Sequence, residues 1–180
     1  MKTGRVSASL VLAGLIIVIG LVLNVVAYFL PIDYLRFGDY AYLGIVVLTF
    51  IGNASVVVPI PYVPVFLRVA EVAPNVLLVV LCAAVGSSLG ESVSYFLGRS
   101  GRQVVSESRI YRWLHQVAHR PVLSWFFMLA MSTPPNPFFD VAGLAAGALG
   151  IPYKIFLSAV TLGRFLRFAA LFWGAMGLSR

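Results

Sequence analysis

The chain has 180 residues, of which 61% are hydrophobic and only 11% carry a charge. A soluble domain of this size needs roughly 25% charged residues to wet its surface, so a soluble globular fold is excluded. A net charge of +7 would suggest nucleic acid in a soluble protein, but in a membrane protein such an excess sorts to the cytoplasmic loops. We therefore expect an all-α integral membrane protein with membrane lipids, and no nucleic acid, as its partners.

The first 40 residues predict a transmembrane helix followed by an external loop. Lys2 and Arg5 precede an apolar run over residues 6–30, which is too long for the apolar core of a signal peptide. A helix needs about 20 apolar residues to cross a bilayer. We predict a retained helix with its N-terminus in the cytoplasm, and residues 31–40 on the outside.

Residues 41–73 predict a re-entrant hairpin. The apolar run at their start is too short to span, and Pro59, Pro61 and Pro64 follow it. Each proline removes a backbone donor and crowds the preceding turn. Irregular backbone is tolerated inside a membrane only where it is buried in protein or lines a cavity. Residues 75–98 come next and are long enough to cross the bilayer.

Residues 99–120 predict an amphipathic helix at the cytoplasmic surface. The apolar side chains of Ile110, Trp113, Leu114 and Val117 recur with the spacing of one helix face. The opposite side carries arginines, which sort to the cytoplasm. A helix of this kind lies in the membrane interface.

The second half repeats the order of the first, with a re-entrant hairpin over residues 122–152 and a span over residues 153–178. An offset of 73 positions aligns prolines at the two breaks and a Leu-Gly pair in the two spans. The predicted topology inverts one half relative to the other, as in transporters whose substrate sites lie where broken helices meet. The residues predicted to shape the hairpin breaks are Gly52, Pro61, Pro64, Pro134, Pro137 and Gly143.

Charged residues inside the apolar segments mark the predicted site. An unpaired charge at the centre of a bilayer costs at least ~2.5–3.5 kcal/mol, so each must be paired or hydrated. Two interpretations stay open: ion pairs that only hold the hairpins in place, and a hydrated path for a charged headgroup or ion. Glu91 and Arg164 are the first candidate pair, because each follows the Leu-Gly pair of its span. The set consists of Arg68, Glu71, Glu91, Asp140, Arg164 and Arg167.

An enzymatic function is not indicated. The run from Gly86 to Gly90 matches the G-x-S-x-G pattern of serine hydrolases, but that pattern needs a strand-turn-helix context, and here it lies within a predicted span. Small residues in such a helix favour close packing against a neighbour. His115 and His119 stand four positions apart without an evident third ligand. We expect no catalysis, no metal and no cofactor.

Three motifs together resemble the DedA/VTT superfamily, which includes the SNARE-associated Golgi-type proteins. They are F-I-G-N-A-S-x-x-x-P-x-P at 50–61, L-G-E-S-x-S-Y-F-L-G-R at 89–99, and P-x-P-F-F-D-x-A-G-x-x-A-G at 135–147 followed by L-G-R-x-x-R. The third motif is most similar to the vacuole-membrane-protein branch and its prokaryotic relatives. The resemblance predicts a DedA/VTT-like domain over residues 41–178, preceded by the N-terminal helix and loop over residues 1–40.

The resemblance implies movement of lipids across the bilayer. Eukaryotic members are regarded as phospholipid scramblases, and bacterial members are implicated in flipping undecaprenyl phosphate or phosphatidylethanolamine, several with dependence on the proton gradient. The bacterial members carry acids about where Gly52 and Pro64 stand here, and an arginine early in the second hairpin. This chain has neither, which favours passive scrambling or another placement of the acid, such as Glu71 or Glu91.

We therefore expect a polar groove between the hairpins that carries a lipid headgroup while the tails stay in the bilayer. Arg164 and Arg167 would attract a phosphate through the planar donor fork of arginine, and Glu91 and Asp140 would balance them or contact an amine. The alternatives are a small-solute or cation exporter, with or without proton coupling, and an enzyme acting on lipid headgroups, for which no nucleophile is evident. We expect a multi-pass plasma-membrane protein, and a homo-oligomer is compatible with the sequence.

Overall fold

The computed structural model describes part of the chain. The described residues are 22, 25, 26, 38, 40–54, 62–100, 120–134 and 139–178, without the side chains of 139–141, 177 and 178. The predicted N-terminal helix and the predicted amphipathic helix fall almost wholly outside them. Over the described residues, all regular secondary structure is α-helical, as the composition predicts.

Two long helices and four short ones make up this part of the fold. The long ones are apolar and long enough to cross a membrane, whereas helices of 11 to 15 residues fall short of the ~20 that a crossing needs. In chain order they are α1 (Tyr40–Ala54), α2 (Tyr62–Val72), α3 (Val76–Ser100), α4 (Pro121–Ser132), α5 (Phe139–Leu149) and α6 (Tyr153–Leu178).

Local sequence signals explain where several helices begin and end. The side chain of Asn75 accepts a hydrogen bond of 3.1 Å from the backbone N–H of Leu78 and so caps the start of α3. Pro121 opens α4, where its missing N–H would have no intrahelical partner. Gly150, at a φ of +75°, ends α5. The hydrogen bond from Ile151 N to Ala146 O then satisfies one of the last carbonyls of α5.

The long helices α3 and α6 cross in opposite directions and separate two hydrophobic clusters. Ala83 near the start of α3 packs with Phe168 near the end of α6, and Tyr95 near the end of α3 packs with Phe156 near the start of α6. The first cluster also takes side chains from α1 and α2, and the second takes them from α4 and α5. Each half of the chain therefore builds its core around one end of this crossing.

Glycines on the long helices allow the short helices to pack directly against their backbone. A Cβ atom built on Gly86 or Gly90 of α3 would lie 2.2 or 2.4 Å from a backbone oxygen of α1, so neither position accepts a larger residue without displacement. On α6, a Cβ on Gly163 would lie 1.8 Å from Ser132 Oγ of α4. The Gly86–Gly90 run thus serves close helix packing, as the sequence predicts.

The outer surface of α3 is apolar along one stripe. Leu81, Val85, Leu89 and Val93 recur every four residues and are each at least 37% exposed. Monomeric soluble proteins rarely expose contiguous apolar surface of this extent. A lipid surrounding accounts for this stripe, since the polar side chains of α3 between Ser87 and Ser94 are buried.

Candidate functional site

An ion pair between the long helices is the centre of the candidate site. A guanidinium nitrogen of Arg164 on α6 donates to the carboxylate of Glu91 on α3. Glu91 is 0% exposed and Arg164 is 2% exposed. The pair predicted from the repeat is therefore present, and it lies between the two hydrophobic clusters.

A second polar contact joins the same two helices one turn away. The hydroxyl oxygens of Ser88 on α3 and Thr161 on α6 lie 2.9 Å apart. Each of the two contacts links positions 73 apart in the chain. Since hydroxyl and charged groups here are surrounded by apolar helices, these contacts fix the rotation of α3 against α6.

The ends of the two short arms, α1 and α4, reach the pair. Each charged residue follows a glycine, and that glycine receives the C-terminal end of one arm: Asn53 approaches Gly90, and Ser132 approaches Gly163. Asn53 and Ser132 are both buried. Their side chains donate to backbone oxygens of their own helices, so polar groups of both arms lie at the glycines that precede Glu91 and Arg164.

Helix α5 closes the site from a third side. A Cβ on Gly143 would lie 3.7 Å from the Oε2 atom of Glu91 and 3.4 Å from the Cβ of Ser94. Gly143 therefore lets the α5 backbone approach the carboxylate. Gly52 and Gly143, both predicted to shape the hairpin breaks, lie inside helices α1 and α5. Gly52 makes room for the ring of Tyr62, whose Cδ1 would lie 2.6 Å from a Cβ there.

A hydrogen-bonded group of tyrosines lies toward the end of α3. Tyr95 is fully buried, and its hydroxyl donates to the carbonyl of Ile151 at 2.6 Å and accepts from Arg99 Nη1 at 2.9 Å. One turn earlier, the hydroxyls of Ser92 and Tyr153 lie 3.0 Å apart. These bonds tie the end of α3 to the start of α6 beside the second cluster.

The other predicted site residues are not gathered around the ion pair in the same way. Arg167 is half-buried on α6, one turn after Arg164. Arg68 and Glu71 face each other on α2, with Nη1 and Oε2 3.5 Å apart and side chains 41% and 37% exposed. Asp140 lies in the first turn of α5, but its side chain lies outside the described residues.

Two of the four prolines predicted to shape the breaks lie within the described residues. Pro64 is buried in the first turn of α2, a position where a proline is tolerated, and Pro134 is exposed just after α4. Pro61 and Pro137 lie outside the described residues.

The sequence prediction missed Asn53 and Ser132. A signal for both was present in their helices: the buried residues recur every fourth position, as Ile45, Thr49 and Asn53 in α1 and as Ser124, Met128 and Ser132 in α4. In each short apolar segment, polar residues at this spacing mark the face turned into the protein, because a polar side chain facing lipid has no partner.

The arrangement has the chemistry of anion binding. A guanidinium presents donors in a planar fork that fits a carboxylate or a phosphate. In its present position Arg164 is engaged by Glu91. Exchange of that carboxylate for another oxyanion needs no covalent step.

Two curated proteins are similar to this chain. Vacuole membrane protein KMS1 of Arabidopsis thaliana is 29% identical over an alignment of 116 residues that covers 52% of this chain. Vacuole membrane protein KMS2 of the same plant is 27% identical over 114 residues, covering 53% of this chain. In each case the alignment spans only 27% of the relative's length.

No solved structure is significantly similar to the chain. The VTT domain profile, in contrast, matches residues 58–176, about two thirds of the sequence. This match confirms the resemblance drawn from the motifs: the chain belongs to the VTT domain family of membrane proteins, the DedA/SNARE-associated group.

Proposed function

We propose that this protein moves membrane lipids between the two leaflets, along a polar path that opens at the Glu91–Arg164 pair. The observation that carries the proposal is this buried pair, placed where the ends of both short arms and the backbone of α5 converge. Stability alone is a weak reason for a buried ion pair, since well-packed apolar residues of similar volume stabilise a fold as well or better. Its position among broken elements favours a functional role.

An inverted repeat supports a path at this place. If a two-fold axis relates each residue to the one 73 positions later, then a contact between such partners lies on the axis itself. The Glu91–Arg164 and Ser88–Thr161 contacts are both of this kind. Transporters built from inverted repeats hold their substrates near this axis, at the middle of the membrane.

The short arms support re-entrant hairpins. Neither α1 with α2 nor α4 with α5 offers a helix that is long enough to cross, and the C-terminal ends of α1 and α4 stop at the glycines next to the buried pair. A hairpin from each side of the membrane would meet its counterpart there. A lipid headgroup would then pass from the end of one arm to the end of the other. It would not have to cross ~30 Å of hydrocarbon.

In the proposed mechanism a lipid phosphate replaces Glu91 on the guanidinium of Arg164. Arg167, one helical turn further on, supplies a second cation on the way out of the path. The released carboxylate of Glu91 contacts an amine headgroup or keeps its charge balanced within the site, and Asp140 acts in the same way at the start of α5. No bond is formed or broken and no cofactor takes part, so the protein acts as a passive scramblase and not as an enzyme.

We propose that the protein lies in the plasma membrane with its N-terminus in the cytoplasm. Lys2 and Arg5 support this orientation, because basic residues next to a membrane helix favour the cytoplasmic side. Under this orientation α6 begins at the cytoplasmic face, where Lys154 is exposed. A cysteine at position 154, in a variant with Cys82→Ala, should react with an impermeant maleimide only when the reagent has access to the cytoplasmic face. Labelling from the outside would reverse the orientation.

The deciding experiment is a scrambling assay on purified full-length protein in liposomes with fluorescent phospholipids in both leaflets. Dithionite bleaches only the outer leaflet, so a scramblase raises the bleached fraction from about half to nearly all. We expect this rise for the wild type and for Arg120→Gln, which removes an exposed charge outside the helices. Glu91→Gln and Arg164→Gln should slow it at equal amounts of reconstituted protein. Wild-type liposomes that bleach only by half, while releasing a trapped cation or small solute, would instead favour an exporter.

A further inference from the structure

A groove on the outer face of the α3–α6 crossing has a shape and charge that the central pair does not explain. It has a volume of about 650 Å³, within the ~300–1,000 Å³ range typical of ligand sites. Its wall is almost entirely apolar, with Leu81 of α3 facing one side of α6. The α6 residues that line it are Lys154, Leu157, Ser158, Thr161, Leu162 and Phe165.

The dimensions of the groove match one lipid tail in one leaflet. Its lining runs along α6 from Lys154 to Phe165, and the eleven steps between these residues span about 16 Å at 1.5 Å per residue. The hydrocarbon core of a bilayer is ~30 Å thick, so the groove is about as long as a single leaflet is deep. Because the groove opens to the side of the helices, a tail can enter it from the bilayer without crossing water.

The charge at one end of the groove identifies the headgroup. Lys154 lies in the first turn of α6 and is exposed. A lysine at the end of a membrane helix extends its stem along apolar surface and places its ammonium group at the interface. That is the depth of lipid phosphates, and a basic residue there favours anionic lipids.

We infer that this groove binds one acyl chain of an anionic phospholipid, with the phosphate on Lys154, in the leaflet where α6 begins. The inference rests on the proposed lipid translocation and adds to it a loading site and a headgroup class. Thr161 lines the groove and also contacts Ser88 next to the central pair. The groove therefore ends beside the proposed path, and a lipid seated in it has its headgroup one membrane leaflet away from Arg164.

Trp125 is a natural reporter for the groove. Its indole N–H lies 3.1 Å from Ser158 Oγ, so the ring stands beside the lining of the groove. The chain has three tryptophans, and Trp113→Phe with Trp173→Phe leaves Trp125 as the sole fluorophore. Phospholipids with brominated tails quench a tryptophan only at contact distance.

We expect brominated phosphatidylglycerol to quench Trp125 at about fivefold lower mole fraction than brominated phosphatidylcholine, in unlabelled phosphatidylcholine vesicles. Lys154→Gln should remove this preference and Lys154→Arg should keep it. Leu162→Phe narrows the groove and should weaken quenching by phosphatidylglycerol. Its matched control is Leu89→Phe, at the position 73 residues earlier, since Leu89 and Leu162 are both 40% exposed and Leu89 does not line the groove.

Equal quenching by the two lipids in the reporter protein would overturn the inference, as would a preference that survives Lys154→Gln. The dithionite assay on the same vesicles separates this failure from that of the proposed function. Scrambling without a phosphatidylglycerol preference refutes the groove and leaves the translocation proposal standing. A preference without scrambling leaves an anionic-lipid site on a protein that does not translocate, and refutes the proposed function.

Discussion

The two halves of the molecule, α1–α3 and α4–α6, are alike at their contacts with the central pair. Each has a short arm whose buried residues recur every fourth position. Each arm ends on a glycine of the following long helix, and a charged residue follows that glycine. The similarity is therefore greatest where the halves meet.

The halves differ in how the second short helix is held. In the second half, α5 meets α3 at backbone distance: a Cβ on Gly147 would lie 1.9 Å from Tyr95 O, and one on Gly98 would lie 1.9 Å from Leu144 O. In the first half, α2 packs through side chains. Phe66 lies against the ring of Phe168, with centroids 4.8 Å apart, and Tyr62 lies against Gly52.

This difference indicates which element is able to move. Backbone contacts through glycine allow little sliding, because the interacting atoms have no rotatable bonds. Aromatic side chains can change rotamer and repack when a helix shifts. We therefore expect α5 to stay fixed to α3, and α2, which carries Arg68 and Glu71, to be the helix that moves when the path opens.

The largest effect should come from breaking the ion pair that both halves share. Removing one partner of a buried pair leaves an uncompensated charge and typically costs about 3–5 kcal/mol. Glu91→Gln and Arg164→Gln should each lower the free energy of unfolding by an amount of this order. Thermal or detergent unfolding of the purified protein measures this effect.

A double exchange tests whether the pair acts only in stability. Glu91→Arg with Arg164→Glu should recover much of the folded yield, because the pair is restored. Scrambling should stay low if Arg164 meets the phosphate, since the cation now belongs to α3. Single variants with wild-type stability and wild-type lipid movement would refute both the structural and the functional role of the pair.

The second effect tests the anchoring of α5 against that of α2. Gly147→Ala forces a methyl group against the carbonyl of Tyr95 and should destabilise by about 1–3 kcal/mol, as overpacking does. Gly52→Ala meets only the ring of Tyr62, which can rotate away, so its loss should be clearly smaller.

Gly44→Ala is the control for helix propensity in this series. Nothing lies within 4 Å of a Cβ at Gly44, so the change should stabilise by about 0.5–1 kcal/mol. Thermal unfolding of the three variants should rank them in the order Gly44→Ala, Gly52→Ala, Gly147→Ala, from most to least stable. Equal losses at Gly52 and Gly147 would mean that α2 is held as firmly as α5.

The third effect concerns the contact between Ser88 and Thr161. Hydrogen bonds between membrane helices contribute ~0.6 kcal/mol on average, so Thr161→Val should destabilise by roughly that amount. Ser100→Ala removes a hydroxyl that donates only to Phe96 O of its own helix, outside the groove and the central pair, and serves as the control. A Thr161→Val variant that changes the headgroup preference of scrambling, while Ser100→Ala does not, would place this contact in the lipid path.

The sequence was sufficient to predict the ion pair because Glu91 and Arg164 stand at the same place in a detectable repeat. It was sufficient for the spans as well, since α3 and α6 are long apolar runs. The short arms α1 and α4 were harder to align with each other, because the number of residues between arm and glycine differs between the halves. Gly90 follows Asn53 by 37 positions, whereas Gly163 follows Ser132 by 31. A single offset therefore aligns the long helices and misses the arms.

The roles of Gly52 and Gly143 were also out of reach of the sequence. Each lies six or seven positions from the nearest proline, in a segment where prolines and glycines together indicate irregular backbone. What decides their role is the atom that approaches them, Tyr62 Cδ1 in one case and Glu91 Oε2 in the other. Those approaches come from another helix, and no local pattern contains them.

The smallest effect on stability should come from the Arg68–Glu71 pair, and it is the sharpest test of an opening α2. Pairs at this spacing on an exposed helix face contribute about 0.2–0.5 kcal/mol, so Arg68→Gln should hardly change thermal unfolding. If α2 is the helix that moves and its charged face contacts headgroups, the same variant should nonetheless slow scrambling several-fold. Arg120→Gln is the matched control, since it removes one exposed arginine outside the helices. Wild-type scrambling by Arg68→Gln would show that α2 has no part in the path. It would favour a structure in which α2 and α5 are equally fixed.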